Sequence, residues 1–146
     1  MEKIQRTARN VAMDLLSRRE HSRAELTNKL RQREFDTDEI DAALDRLQHE
    51  GLQSDQRFCE NFAYYRAKKG RGPIRIRHEL AQKGVSEALI DEQMQLLDVD
   101  WHDIMEEERR KKFGSEIPPD YKEKMKQARF LQNRGFSAEA VMRLFS

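Results

Sequence analysis

The residues of this chain whose types and spacing come nearest to a binding chemistry are the cations of Lys68-Lys69-Gly70-Arg71-Gly72-Pro73. Cations on a glycine-hinged turn that opens a helix suit phosphates or carboxylates held at that helix's N-terminus, where backbone N–H groups point outward. The glycines and the lysines do not follow the order that lets backbone amides wrap a nucleotide, so the turn is not a P-loop. Its plainest role is to join two helices. Arg66 precedes it, and Arg75, Arg77 and Lys83 follow with Glu79 as the one interruption; a second basic tract runs Arg109-Arg110-Lys111-Lys112. The candidate partner-facing residues are therefore Arg66, Lys68, Lys69, Arg71, Arg75, Arg77, Arg109, Arg110, Lys111 and Lys112. Arg75 and Arg77 are two apart and diverge on a helix, whereas Arg71 and Arg75, four apart, are expected to share a face.

Catalytic and metal chemistry finds no comparable support. His21, His49, His78 and His102 are scattered, and no pair has the spacing that puts two imidazoles on one helical face for zinc. His102 and Glu106 are four apart, which fits a surface helix pair better than a ligand set. Cys59 lies between Phe58 and Phe62 on an expected helix with no histidine near it, so it reads as a buried, inert thiol. The carboxylates fall on polar faces without a cleft signal. We expect no catalytic residue, no metal and no cofactor.

Composition sets the class. The chain has 146 residues, one cysteine, 37% hydrophobic and 38% charged residues, and a mean hydropathy of −0.98. That length suits one compact domain or a short array of modules, the single cysteine excludes an internal disulfide, and the low apolar share leaves only a thin core. Twenty-eight Lys and Arg against 27 Asp and Glu give net +1, which removes an overall charge argument and shifts attention to distribution. Carboxylates dominate from Glu34 to Glu60, and from Val85 to Glu108 there is no Lys or Arg. Blocks of opposite sign place basic faces beside acidic ones, which suits a polyanion or an acidic protein surface, although solvated faces are the ordinary explanation. Met1 to Arg6 lack the apolar core of a signal peptide, and no apolar run nears the ~18 residues of a membrane helix. A cytoplasmic protein is expected.

The elements that would carry these residues are helical. Ala8, Val11, Ala12, Leu15 and Leu16 form a stripe of period 3.6, predicting a helix near residues 5–18. Ser22 and Glu25 make a capping box ahead of Leu26 and Leu30, predicting a helix over about 23–33, and Asp36 with Glu39 repeats that logic before Ile40, Leu44 and Leu47. The same succession recurs through Phe58, Ile76 and Ile90, and again through Trp101, Leu131 and Val141, predicting nine helices. Three rounds hold one register at steps of 50 and 51 residues: Leu30, Leu80, Leu131; Phe35, Val85, Phe136; Ile40, Ile90, Val141; Leu44, Met94, Phe145. Arg33, Lys83 and Arg134 form a basic column, followed by Glu34, Gly84 and Gly135, so the glycine turn is missing only in the first round. The expected fold is an all-α, elongated array of three tandem three-helix repeats, residues 1–54, 55–100 and 101–146. Each module is expected to need its neighbours to bury its apolar face.

Three strings carry a family resemblance: Leu47 to Phe58 (LQHEGLQSDQRF), Gly70 to Val85 (GRGPIRIRHELAQKGV) and Arg129 to Ser137 (RFLQNRGFS). In order and at these separations they resemble the RecX regulatory protein family over nearly the whole chain. Gln53-Ser54 stands where that family more often has an apolar residue followed by Asp or Asn. The resemblance implies a bacterial modulator without an active site. Such a protein binds in the groove of the RecA recombinase filament on DNA and inhibits its ATPase, strand-exchange and co-protease activities, so modulating recombinational DNA repair and the SOS response. It implies RecA as partner, a weak DNA contact, no membrane and a monomeric state. The alternative from the residues themselves is a helical DNA-binding module acting on single- or double-stranded DNA, because a three-helix unit with a basic turn resembles a helix-turn-helix.

Overall fold

The computed structural model describes residues 6–146 and contains, among them, nine helices and no strand. They are α1 (Ala8–Arg18), α2 (Arg23–Gln32), α3 (Thr37–His49), α4 (Asp55–Lys68), α5 (Pro73–Gln82), α6 (Glu87–Leu96), α7 (Trp101–Phe113), α8 (Tyr121–Asn133) and α9 (Ala138–Leu144). Short polar side chains start most of them by accepting an otherwise unpaired N–H. Thr7, Ser54, Ser86, Asp100 and Ser137 each cap a helix this way, Ser22 and Glu25 form the full capping box, and Pro73 opens α5. Two expectations at the chain start change. The first helix begins at Ala8, residue 5 of its expected span lying outside the described residues, and Asp36 makes no side-chain cap. Glu39, cast as Asp36's partner, instead accepts from the Ala8 N–H at 3.0 Å, so its carboxylate caps α1 from across the bundle.

Helices α1–α3, α4–α6 and α7–α9 form three successive bundles. Leu30, Leu80 and Leu131 are fully buried at their centres, and Ile40, Ile90 and Val141 pack beside them. Every apolar stripe turns into its own bundle, and helices pack extensively only within a bundle. This corrects the expectation that modules bury their faces on one another, since each already closes a small core with three helices. Trp101 and Ile104 are shared between the second and third cores.

The joints between bundles are polar and repeat. The Ser22 hydroxyl, at the head of α2, donates to the Lys83 carbonyl at the tail of α5, 2.7 Å away. At the next joint the Gly72 N–H, at the head of α5, donates to the Arg134 carbonyl at the tail of α8, 2.8 Å away, and the Ile74 N–H donates to the Gly135 carbonyl at 3.0 Å. Gly84 and Gly135 are left-handed, with φ of 82° and 107°, and a Cβ on either would collide with Ala24 or Arg75 of the preceding bundle. The first round keeps the same turn, with Glu34 at φ 67°. Glu34 is exposed there, so its side chain is sterically tolerated even though the backbone conformation disfavours one. Gln53, in place of an apolar residue, is buried, and its amide donates to the His21 carbonyl at 3.3 Å and to Asp55 at 3.0 Å.

Candidate functional site

The turn from α4 to α5 holds the main cluster of cations. α4 closes on Lys69, whose N–H reaches the Tyr65 and Arg66 carbonyls, and Gly70 follows at φ 84°. A Cβ at Gly70 would overlap the Glu108 carboxylate, which α7 lays across the turn. Gly72 then docks on the Arg134 carbonyl and Pro73 starts α5, so Arg71 is presented at the joint between the second and third bundles.

Four guanidiniums meet there around two carboxylates. Arg66 forks onto Glu79, its Nη2 donating to both oxygens at 2.9 and 2.8 Å, and Arg75 Nε stands 3.7 Å from the same carboxylate. Arg134 Nε lies 3.9 Å from Glu108, with its guanidinium 4.9 Å from the Phe130 ring centre. Arg71 donates through Nη1 to the Lys69 carbonyl at 3.3 Å, while its Nε is buried with no hydrogen-bond partner among the described residues. Burial, then the charges of Arg134, Arg66 and Arg75, lower its pKa below the ordinary arginine value, Glu108 opposing. Arginine nevertheless stays protonated at any physiological pH, and four guanidiniums against two carboxylates leave the joint an excess of positive charge. An oxyanion with paired oxygens is the ligand that relieves it.

The structure sorts the remaining candidates. Lys68 lies over the Tyr64 ring at 5.3 Å, and Lys69 is exposed beside the cluster. Arg77 forms an ion pair with Asp91 of α6. Lys111 is 3.9 Å from Glu108, and Lys112 sits 5.9 Å from the Phe130 ring centre, so Lys112 and Arg134 share one aromatic ring. Arg110 pairs with Glu106 at 3.0 Å. Arg109 departs from its expected place: it is fully buried, donating to the Gly114, Ser115 and Glu116 carbonyls at 3.2, 3.1 and 3.2 Å and to Glu106 at 2.9 Å. It ties the α7–α8 loop inward and presents nothing to a partner.

Glu108 thus links Lys111 of the second tract to Arg134 and to the Gly70 turn beside Arg71 of the first, while Lys112 reaches only the Phe130 ring that Arg134 also faces. Arg71 lies before α5 begins, so it joins Arg75 through the glycine turn and not by helical spacing. Arg134 is absent from the candidates above and stands in the sequence only in the basic repeat column with Arg33 and Lys83. Its signal was the recurrence of a cation beside each inter-helix turn, and only the third such turn abuts the basic loop. Among the described residues no cluster of His, Cys, Asp and Glu fits a metal. Burial, with Asp55 adding, pushes the Cys59 thiol up to about 11, which leaves it protonated and unreactive. No helix among the described residues is long and apolar enough to cross a membrane.

Comparison with known proteins follows the same division into threes. Family models described as the first, second and third three-helix domains of RecX match residues 8–47, 54–94 and 98–145. The chain is 50% identical over 138 residues to the regulatory protein RecX of a Pseudomonas fluorescens strain, covering 94% of this chain and 89% of that one. It is 47% identical, with the same coverage, to the regulatory protein RecX of Pseudomonas syringae pv. tomato. In fold it is similar to the crystal structure of RecX from Lactobacillus salivarius, with a TM-score of 0.77 at 20% identity over 94% of both chains.

Proposed function

This chain belongs to the RecX family of regulatory proteins, and from that premise we propose that it binds the RecA recombinase filament on DNA and restrains ATP hydrolysis, strand exchange and co-protease activity, so modulating recombinational repair and the SOS response. It acts in the cytoplasm as a monomer, with residues 1–54, 55–100 and 101–146 as its modules. The observation that carries this reading is the crowding of Arg66, Arg71, Arg75 and Arg134 at one joint, with Arg71 Nε lacking a partner. Guanidiniums held this way are positioned for the phosphates of filament DNA or for carboxylates on the filament wall. Binding alone can obstruct a filament, so no reacting group is required.

The test is RecA ATP hydrolysis on single-stranded DNA titrated with folded variants. We expect Arg71→Glu with Arg75→Glu to weaken inhibition at least tenfold at unchanged helicity, and Arg6→Glu, exposed at the other end of the chain, to change little. Full inhibition by the folded double variant would refute this face and redirect attention to Arg110, Lys111 and Lys112. A second reading, direct DNA binding, draws on the second cation, Lys112, that the Phe130 ring shares with Arg134. It requires naked single-stranded DNA to bind with a steep salt dependence that the same reversals flatten.

A further inference from the structure

The second bundle carries another surface, opposite in sign, on the outer side of α4 where the end of α6 meets it. A groove of about 560 Å³ lies there, lined by Tyr64, Tyr65, Leu96 and Leu97 among polar neighbours. Tyr65 and Leu96 are 63% and 68% exposed, an unusual degree for two large apolar residues side by side, and Tyr64 meets Tyr65 edge to face at 5.3 Å. Gln93 lines the same groove. Only 5% of it is exposed, yet its Nε2 has no hydrogen-bond partner among the described residues. A buried amide donor left unpaired is costly, and it marks a place for an acceptor brought from outside.

Two carboxylates against one neighbouring ammonium, that of Lys68 over the Tyr64 ring, leave the charge around the groove net negative. Glu60 and Asp98 stand in its lining. α6 ends on an extended Leu97 with no basic residue in its last turn, and lacks the N–H caps that close α5 and α8. Its carbonyl end therefore adds negative potential at the mouth. Its α6 wall, from Gln93 to Asp98, belongs to the stretch from Val85 to Glu108 that holds no Lys or Arg, while its α4 wall contributes Glu60. A polyanion is disfavoured here, and a cationic, partly apolar segment is favoured.

Resting on the reading given under Proposed function, we infer that this groove receives the protein component of the filament, and the arginine joint its anions. The occupant is a surface segment that seats an apolar side chain against Tyr65 and Leu96, places a flanking Lys or Arg by Asp98 and Glu60, and offers a carbonyl to Gln93 Nε2. The two faces of the second bundle then divide the work, one gripping charge and the other choosing the protein.

The experiment compares two probes, RecA filaments on single-stranded DNA and the naked strand, against the wild-type chain, Leu96→Glu and Asp98→Lys. Both substitutions lie on exposed positions, and circular dichroism confirms folding. Each is expected to weaken filament binding at least tenfold and to leave naked-strand binding within twofold, while Arg71→Glu weakens any naked-strand binding. Filament binding unchanged in both folded variants overturns the groove and leaves the proposed function standing. Equal loss on both probes assigns the groove to DNA and also overturns it. A wild-type chain that fails to bind filaments removes the proposed function itself, and the groove's role with it.

Discussion

The Ser22 hydroxyl does two things at once: it accepts from the Glu25 N–H at 3.1 Å, capping α2, and donates to the Lys83 carbonyl at 2.7 Å, joining the first bundle to the second. One atom couples a local helix start to a joint 61 residues away. Removing it by Ser22→Ala loses a cap and strands a carbonyl, an expected cost of about 2 kcal/mol. Urea denaturation followed by circular dichroism measures it, and a shallower transition would show the bundles uncoupling.

The glycine positions test the repeat geometry. Gly84→Ala adds a Cβ where Ala24 already sits and forces a left-handed alanine, so it should cost at least ~2 kcal/mol. Glu34→Gly relieves the same backbone at an exposed turn and should stabilise by up to about 1 kcal/mol, less the entropy glycine adds to the unfolded chain. Paired thermal melts decide; a harmless Gly84→Ala would mean that the joint is looser than its contacts imply.

Arg109 and Arg110 are neighbours with opposite fates. Arg109→Ala leaves the loop carbonyls and Glu106 without their buried donor, with an expected loss of about 3–5 kcal/mol, whereas Arg110→Ala, on an exposed pair, should change stability by less than ~0.5 kcal/mol. Equal effects in chemical denaturation would contradict the buried placement of Arg109.

His21 supplies a pH dependence. It is 2% exposed, with Nδ1 3.0 Å from the Arg19 carbonyl and Nε2 3.4 Å from the Lys29 ammonium. That arrangement suits the neutral ring, Nδ1–H donating to the carbonyl and bare Nε2 accepting from Lys29. Burial, with Arg19 and Lys29 adding, lowers its pKa below 6.5 against the backbone bond and Glu25. Above 6.5 both folded and unfolded rings are neutral and the contribution is intact; as pH falls below 6.5 the unfolded chain takes the proton first, so stability drops until the folded pKa is passed. His21→Gln should flatten the fall in stability below pH 6.5. An unchanged slope in that variant assigns the dependence elsewhere.

What could be read along the chain was whatever local chemistry decides. The Ser22–Glu25 box, Pro73 at the start of α5 and the columns of Leu30, Leu80 and Leu131 all depend on residues within a turn or on a 3.6 period, and the family strings follow from the same register. The basic loop was legible as a run of charge, but its meaning was not. Whether Arg109 points out or in depends on a loop five to seven residues further on, and whether Arg71 is crowded depends on Arg134, more than sixty residues downstream. Asp36 and Glu39 had the pattern of a capping box, yet a nearby unpaired N–H on Ala8 took the carboxylate. The sequence also showed a glycine missing at Glu34, while only the assembled joints show why Gly84 and Gly135 must lack a side chain: another bundle occupies the space. Periodicity and capping are set by neighbours in the chain, and long-range partners by which surfaces the folded backbone brings within a few ångströms.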